Sequence, residues 1–134
     1  MRIWHKDLIP VLPRQQLLGQ WRELCCIAKN IAEMGTPNHM LVNKVLEYPE
    51  SELNVYALAI REEMLKRGYK CDWNNFMKWR INRCREGELK DIFASWHNYR
   101  YFLQCYFNLQ EKYDCGGICE KEWERIQNEF VVII

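Results

Sequence analysis

The residue whose type and position most suggest a reactive site is Glu23. It lies in a run whose apolar residues recur every three or four positions, which predicts a helix from Pro13 to Glu33. At 100° per residue, Glu23 falls on the face opposite the apolar stripe. Gly19 lies one turn before it and Cys26 about one turn after it. These small neighbours leave the carboxylate open to a bulky ligand, although the same pattern also suits an ordinary solvated face.

The remaining chemistry-bearing residues give weaker signals. Cys115 and Cys119 have a spacing that some zinc sites use, but no second Cys/His pair stands nearby in a matching pattern, so we predict no metal site. The segment 96–107 (WHNYRYFLQCYF) mixes aromatic rings with Arg100. Such a segment could stack on unpaired bases, but its helical spacing favours packing in the core. The phosphate-binding glycine loops and the serine-hydrolase motif are missing, and we expect no cofactor.

Composition restricts the class of protein. With 134 residues, 49% of them hydrophobic and 28% charged, the chain has the size of one globular domain, residues 1–134. The 19 basic and 18 acidic residues give a net charge of +1, so a DNA-binding face would have to come from local clustering. Seven cysteines, most in helix-like stretches, indicate free thiols. Because the sequence has neither a signal peptide nor a long apolar run, we expect a cytoplasmic protein that does not enter a membrane.

Periodicity and capping residues predict an all-α fold: a single compact domain of about five or six helices with an extended N-terminal arm, residues 1–12. We expect Asn38 to cap a short helix that stops at Pro49, and Ser51 to cap the next. After Pro13 to Glu33, the predicted helices span approximately 39–48, 52–68, 72–85, 97–112 and 120–129, and the apolar tail VVII follows.

The segment LIPVLPRQQLLGQWREL, residues 8–24, resembles the pyrimidine-dimer DNA glycosylase family of the phage endonuclease V type. The shared run is leucine-rich, with Gln15 and then Trp21-Arg22-Glu23-Leu24 in the same register. The opening Met1-Arg2-Ile3 is similar to the residue-Arg-Ile with which that family begins. Two later segments, 65–69 (LKRGY) and 109–112 (LQEK), are also similar to family motifs in the same order.

The resemblance implies a mechanism. The α-amine of the first residue, here Met1, would attack the sugar C1′ of a damaged pyrimidine nucleotide and form an imine, and β-elimination would then break the strand. An α-amine suits this step because its class has a pKa of about 7.7–8.0, which leaves part of it neutral near pH 7. Glu23 would be the catalytic carboxylate, stabilising the cationic sugar and assisting proton transfers. The implied partner is double-stranded DNA containing a damaged base, bound by a monomer.

The resemblance also assigns DNA contacts. Arg22 would hold the phosphate beside the lesion, Arg2 and Lys112 would contact further phosphates, and Gln15 would touch the opened strand. Since Arg2 is bulky, we expect the initiator methionine to be retained.

This sequence also differs from the family in three respects. Cys26 replaces a second arginine one turn beyond the glutamate, EWERIQNEFVVII replaces a basic, aromatic-rich C-terminus, and the net charge is lower. They leave the amine and the glutamate in place but argue against tight scanning of undamaged DNA.

Several alternatives remain open at this point. One is a glycosylase for a different modified base, and another is a non-catalytic helical module that binds DNA or protein. A small metal-dependent nuclease would require His97 and the cysteines to converge on one point.

Overall fold

All regular structure in the part of the chain that the structure describes is helical. The computed structural model describes the backbone of residues 1–133 and the side chains of residues 1–131. The predicted all-α class is confirmed. The α-helices are α1 (Arg14–Met34), α2 (Glu50–Lys66), α3 (Asn74–Met77), α4 (Tyr99–Asp114) and α5 (Glu120–Ile133). The 3₁₀ helices are η1 (Lys6–Val11), η2 (Asn43–Glu47) and η3 (Leu89–Asp91).

Helix α1 forms as its apolar stripe predicts. Leu17, Leu24 and Ile27 on that stripe are fully buried, and the helix packs against α2 and α3. It ends at Gly35, whose φ of 76° is a left-handed conformation that glycine adopts without steric cost. The buried stripe therefore fixes which face of α1 remains available for a ligand.

Helix α2 begins two residues earlier than a cap at Ser51 would require. Pro49 occupies the N-cap position with φ of −54°, and no side chain makes a capping hydrogen bond there, so the prediction for Ser51 was wrong. The ring of Pro49 restricts φ, and its ψ of 143° is extended, so the helical turn itself starts at Glu50. Glu50 and Glu52 then lie in the first turn, where negative charge stabilises the helix dipole.

The long helix predicted over 72–85 is also wrong, because only α3 is an α-helix there. The buried Asn54 of α2 accounts for the difference. Its Nδ2 donates to the carbonyls of Asn82 and Cys84 at 2.9 and 2.8 Å, and its Oδ1 accepts from Arg80 Nε at 2.9 Å. These tertiary hydrogen bonds engage backbone carbonyls and hold the segment against α2 in an irregular path. The local propensity for a helix is overridden.

The predicted helix before Pro49 is reduced to η2. Asn38 does not cap it, because its φ of 57° places it in a left-handed turn several residues before η2 begins. Asparagine is one of the few residue types other than glycine that commonly adopt this left-handed conformation.

Helices α4 and α5 pack on one another through aromatic rings. Asn98 caps α4 by accepting a hydrogen bond from the amide of Tyr101 at 2.9 Å. Tyr106 of α4 stacks on Phe130 of α5 with ring centroids 4.4 Å apart. Helix α5 extends beyond the predicted end at Glu129 into the apolar tail, whose last residue, Ile134, lies outside the described residues.

Two further predictions can be compared with the structure. All seven cysteines are free. None of the helices found over residues 1–133 has the length and hydropathy of a membrane span.

The N-terminal arm is part of the core. Ile3 and Leu8 are fully buried, and η1 packs against both α2 and α5. His5 and His97 stack inside the protein with ring centroids 5.0 Å apart, and the amide of Lys6 donates to His97 Nδ1 at 3.0 Å. The arm is thus fixed by burial and by hydrogen bonds to its backbone.

We predict that this buried histidine pair makes stability fall in mild acid. Burial, with smaller contributions from His5 and Lys6, lowers the pKa of His97 to about 2, and burial lowers the pKa of His5 as well. Below pH 6.5 the unfolded chain therefore binds protons that the folded chain does not. The free energy of unfolding should decrease by about 1.4 kcal/mol per pH unit for His97, and the lowered pKa of His5 should add to the decrease. Urea denaturation between pH 7.5 and 5 measures it.

The matched variant is His97→Asn, whose side-chain oxygen can still accept the Lys6 amide. It should show a shallower pH dependence than the wild-type protein. An equal slope in both proteins would mean that His97 does not carry the effect.

Candidate active site

Residues 2–4 are held in place by polar side chains that are buried or partly buried. The amide of Trp4 donates to Gln20 Oε1 at 2.8 Å, and Gln20 Nε2 donates to the carbonyl of Arg2 at 2.9 Å. The Tyr56 hydroxyl donates to the carbonyl of Trp4 at 2.6 Å. The Tyr101 hydroxyl donates to the carbonyl of Ile3 at 2.6 Å. Helices α1, α2 and α4 each supply one of these anchors, so the chain terminus has a defined position.

Both tyrosines are suited to this role because they remain protonated. Burial raises the pKa of Tyr56 and the pKa of Tyr101 above the usual value for a phenol. A neutral phenol keeps the proton that it donates to a backbone carbonyl. The anchoring hydrogen bonds therefore persist across the physiological pH range.

The anchored terminus lies beside Glu23 in a cavity of about 280 Å³, which we call the terminal cavity. The amide of Arg2 donates to Glu23 Oε2 at 3.4 Å, so the carboxylate is next to the first peptide bond of the chain. The cavity is lined by Met1, Arg2, Trp4, Glu23, Leu41, Asn108 and Lys112. It is therefore lined by the first residue of the chain, by Glu23 and by two cations, which come from three separate parts of the sequence.

A second cavity, of about 180 Å³, lies on the other side of Glu23, and we call it the α1 cavity. It shares Trp4, Glu23 and Lys112 with the terminal cavity, and its other lining residues are Gln15, Gln16, Gly19 and Gln20. A Cβ added at Gly19 would lie 3.8 Å from Arg22 Nη2, so the guanidinium of Arg22 lies beside this glycine. The small size of Gly19 led us to expect open space next to Glu23, and the α1 cavity provides it.

Three cations near Glu23 lack a carboxylate partner. Within the described residues, Arg2, Arg22 and Lys112 form no ion pair, unlike Arg67 with Glu63. The Arg2 guanidinium lies 5.5 Å from the Trp4 ring centroid and 6.0 Å from that of Tyr101. Cations that no protein carboxylate neutralises favour an anionic ligand.

A family model for pyrimidine dimer DNA glycosylase matches residues 1–76, more than half of the chain. The chain belongs to this family. No curated protein and no solved structure matches it. The matched part contains the arm, α1, α2 and the start of α3, whereas α4, which supplies Asn108 and Lys112, lies outside it.

Five of the six site residues that the resemblance predicted line the two cavities, and one does not. Met1, Arg2, Glu23 and Lys112 line one cavity, and Gln15 joins them through the α1 cavity. Arg22 lines neither cavity and is exposed on the adjoining surface of α1.

Sequence reasoning missed the residues that hold the terminus. Gln20 is buried to 1% exposure in the middle of the apolar stripe of α1. A polar residue on a buried stripe must find hydrogen-bond partners, and that was the available signal. Tyr56 and Tyr101 gave no comparable signal, because a tyrosine at helical spacing usually belongs to the core.

The structure also bears on the metal-dependent alternative. Within the described side chains, no three His, Cys, Asp or Glu residues are arranged to hold a metal ion. His97 is instead enclosed by aromatic rings, including those of Trp96 and Phe93, with centroids 4.8 and 5.1 Å away. The convergence of His97 with the cysteines that a metal-dependent nuclease requires is not found among them.

We predict that Gln20→Ala loosens the terminus. The substitution leaves the Trp4 amide and the Arg2 carbonyl without their partner, which should lower the free energy of unfolding by about 2 kcal/mol. Hydrogen exchange at the Trp4 amide should accelerate. Gln15→Ala is the matched control, because it removes the same side chain from the exposed face of α1 and should change stability by less than about 0.5 kcal/mol. Equal effects in the two variants would refute the anchoring role of Gln20.

Proposed function

We propose that the protein is a DNA glycosylase and abasic-site lyase that acts on pyrimidine dimers with the α-amine of Met1 as its nucleophile. The observation that carries the proposal is that Met1 and Glu23 line one open cavity, with the Arg2 amide hydrogen-bonded to the carboxylate. Membership of the pyrimidine dimer DNA glycosylase family supports the substrate class.

The reaction begins when the neutral α-amine attacks C1′ of the damaged nucleotide. The nitrogen–C1′ bond forms, the bond from C1′ to the base breaks, and the leaving base takes up a proton. Opening of the sugar ring then gives an imine between the Met1 nitrogen and C1′. Loss of a proton from C2′ and cleavage of the C3′–oxygen bond release the 3′ phosphate, and water hydrolyses the imine to free the enzyme.

Glu23 has two roles in this scheme. Its negative charge stabilises the cationic character that develops at the sugar when the base departs. The same carboxylate is the base that accepts the C2′ proton during elimination. Both roles require it to lie on the side of the sugar where the amine attacks, and the shared cavity is consistent with this requirement.

The cations around the cavity would bind the DNA backbone. Arg2 and Lys112 line the terminal cavity and would contact phosphates beside the lesion, while Arg22 would hold a phosphate from the exposed surface of α1. Gln15, at the far end of the α1 cavity, would contact the opened strand. A chain with a net charge of +1 would in this way concentrate positive potential where the substrate binds.

The proposal predicts that the protein forms a covalent adduct with DNA when borohydride reduces the imine. The adduct should appear on gels with duplexes that contain an abasic site or a thymine dimer, and not with undamaged duplex. A variant with extra residues before Met1 should lose trapping because its amine no longer reaches the cavity. The same extension placed after the C-terminus is the control. Full trapping by the N-terminally extended protein would exclude the α-amine as nucleophile.

We further predict that Glu23→Gln retains DNA binding but slows base excision by at least about 100-fold, since general acid–base groups contribute 10²–10⁴-fold. Single-turnover excision from a dimer-containing duplex measures the rate, and fluorescence anisotropy measures binding. The matched control is Glu33→Gln, an exposed position on the same helix. A normal rate in Glu23→Gln would remove the carboxylate from the mechanism.

A further inference from the structure

A third cavity, of about 470 Å³, lies next to the terminal cavity and has no role in the scheme above. It opens between the N-terminal end of α4, the arm and the turn that precedes η2. Its polar lining includes Ser95, Asn98 and Gln104, and we call it the α4 cavity. Its volume is within the range of cavities that bind sizeable ligands.

The three cavities form one groove, because neighbouring cavities share residues. Arg2 and Leu41 line both the α4 cavity and the terminal cavity. Trp4, Glu23 and Lys112 line both the terminal cavity and the α1 cavity. Glu23 therefore lies between two extensions of the groove, as expected for a reactive group acting on a polymer that continues in both directions.

The charge of the α4 cavity is positive. Its lining contains Arg2, Lys44 and Arg100 and no carboxylate. Lys44 makes only an exposed ion pair with Glu47, at 3.8 Å, a kind of contact that contributes little and is easily exchanged. Within the described residues, Arg100 makes no ion pair.

Other cavities on the surface do contain carboxylates. The cavity between η1 and α2 contains Asp7, Glu62, Glu63 and Glu129 beside two lysines. The α4 cavity is thus selectively cationic, and the side-chain amide of Gln104 adds a donor of the kind that binds phosphate and sugar oxygens.

We propose that the α4 cavity binds the phosphodiester backbone of the DNA strand on one side of the lesion, through Lys44 and Arg100. This inference rests on the proposed function, which places the damaged nucleotide in the terminal cavity. Arg2, shared by both cavities, marks the point where the strand passes from one to the other. The site is one-sided, so shortening one arm of the duplex should matter for these residues and shortening the other should not.

The test compares the wild-type protein with Lys44→Gln/Arg100→Gln and with Lys66→Gln/Arg125→Gln. Both double variants lower the net charge by the same amount at exposed positions, but Lys66 and Arg125 lie outside the groove. The probe is a duplex with a tetrahydrofuran abasic analogue, which cannot form an imine, so that binding is measured apart from chemistry. Circular dichroism and thermal melting check that each variant is folded.

Loss of two phosphate contacts should weaken binding by Lys44→Gln/Arg100→Gln about tenfold and reduce the slope of log K against log salt by about 1.8. Lys66→Gln/Arg125→Gln should bind like the wild-type protein. Shortening the duplex on one particular side of the analogue should weaken binding by the wild-type protein. The same shortening should leave the affinity of Lys44→Gln/Arg100→Gln unchanged.

Two results would overturn the proposal, and only the second would also overturn the proposed function. If the wild-type protein binds the analogue duplex but the two double variants behave alike, the α4 cavity is not a DNA site while the proposed function stands. If the wild-type protein binds the analogue duplex no better than undamaged duplex, the proposed function fails, and this inference fails with it.

Discussion

The arrangement of the site depends on hydrogen bonds between three side chains, two buried and one partly buried, and the backbone of residues 2–4. A chain terminus is ordinarily among the most mobile parts of a protein, and fixing each residue costs about 1–2 kcal/mol of backbone entropy. Here Gln20, Tyr56 and Tyr101 bind the arm, and burial of Ile3 adds a hydrophobic contribution. The result is that the backbone next to Met1 is held in place before any substrate arrives. Such preorganisation is a large part of what a nucleophile requires.

The distribution of charge would allow a nearly neutral chain to bind DNA in the proposed groove. Acidic residues are kept out of the lining of the groove, apart from Glu23, and are abundant elsewhere, as in the cavity between η1 and α2. Because exposed charges are screened within about 10 Å at moderate salt, the local potential matters more to a bound phosphate than the net charge does. Cys26 is exposed on α1 and carries no positive charge, so the cations of the arm and of α4 are important to the proposed binding of DNA.

The sequence predicted those features that are encoded locally. The apolar stripe and Gly35 define α1, and the small residue Gly19 correctly indicated open space beside Glu23. Features set by distant contacts were not predictable in the same way. The segment after α3 has helical propensity, but Asn54 on another helix binds its carbonyls and prevents the helix. Likewise, no local pattern places Lys112 beside Met1, because their proximity depends on how α4 packs against the arm.

The central claim is that the first nitrogen of the chain, rather than a lysine, attacks the sugar. Lys112 is the lysine that most needs to be excluded, because it lines the same cavity as Met1 and Glu23. The most direct test is to reduce the imine formed with an abasic-site duplex, digest the adduct and locate the modified residue by mass spectrometry. The account predicts the DNA-derived mass on the α-nitrogen of Met1. Attachment to the side chain of Lys112, or to any other lysine, would contradict it.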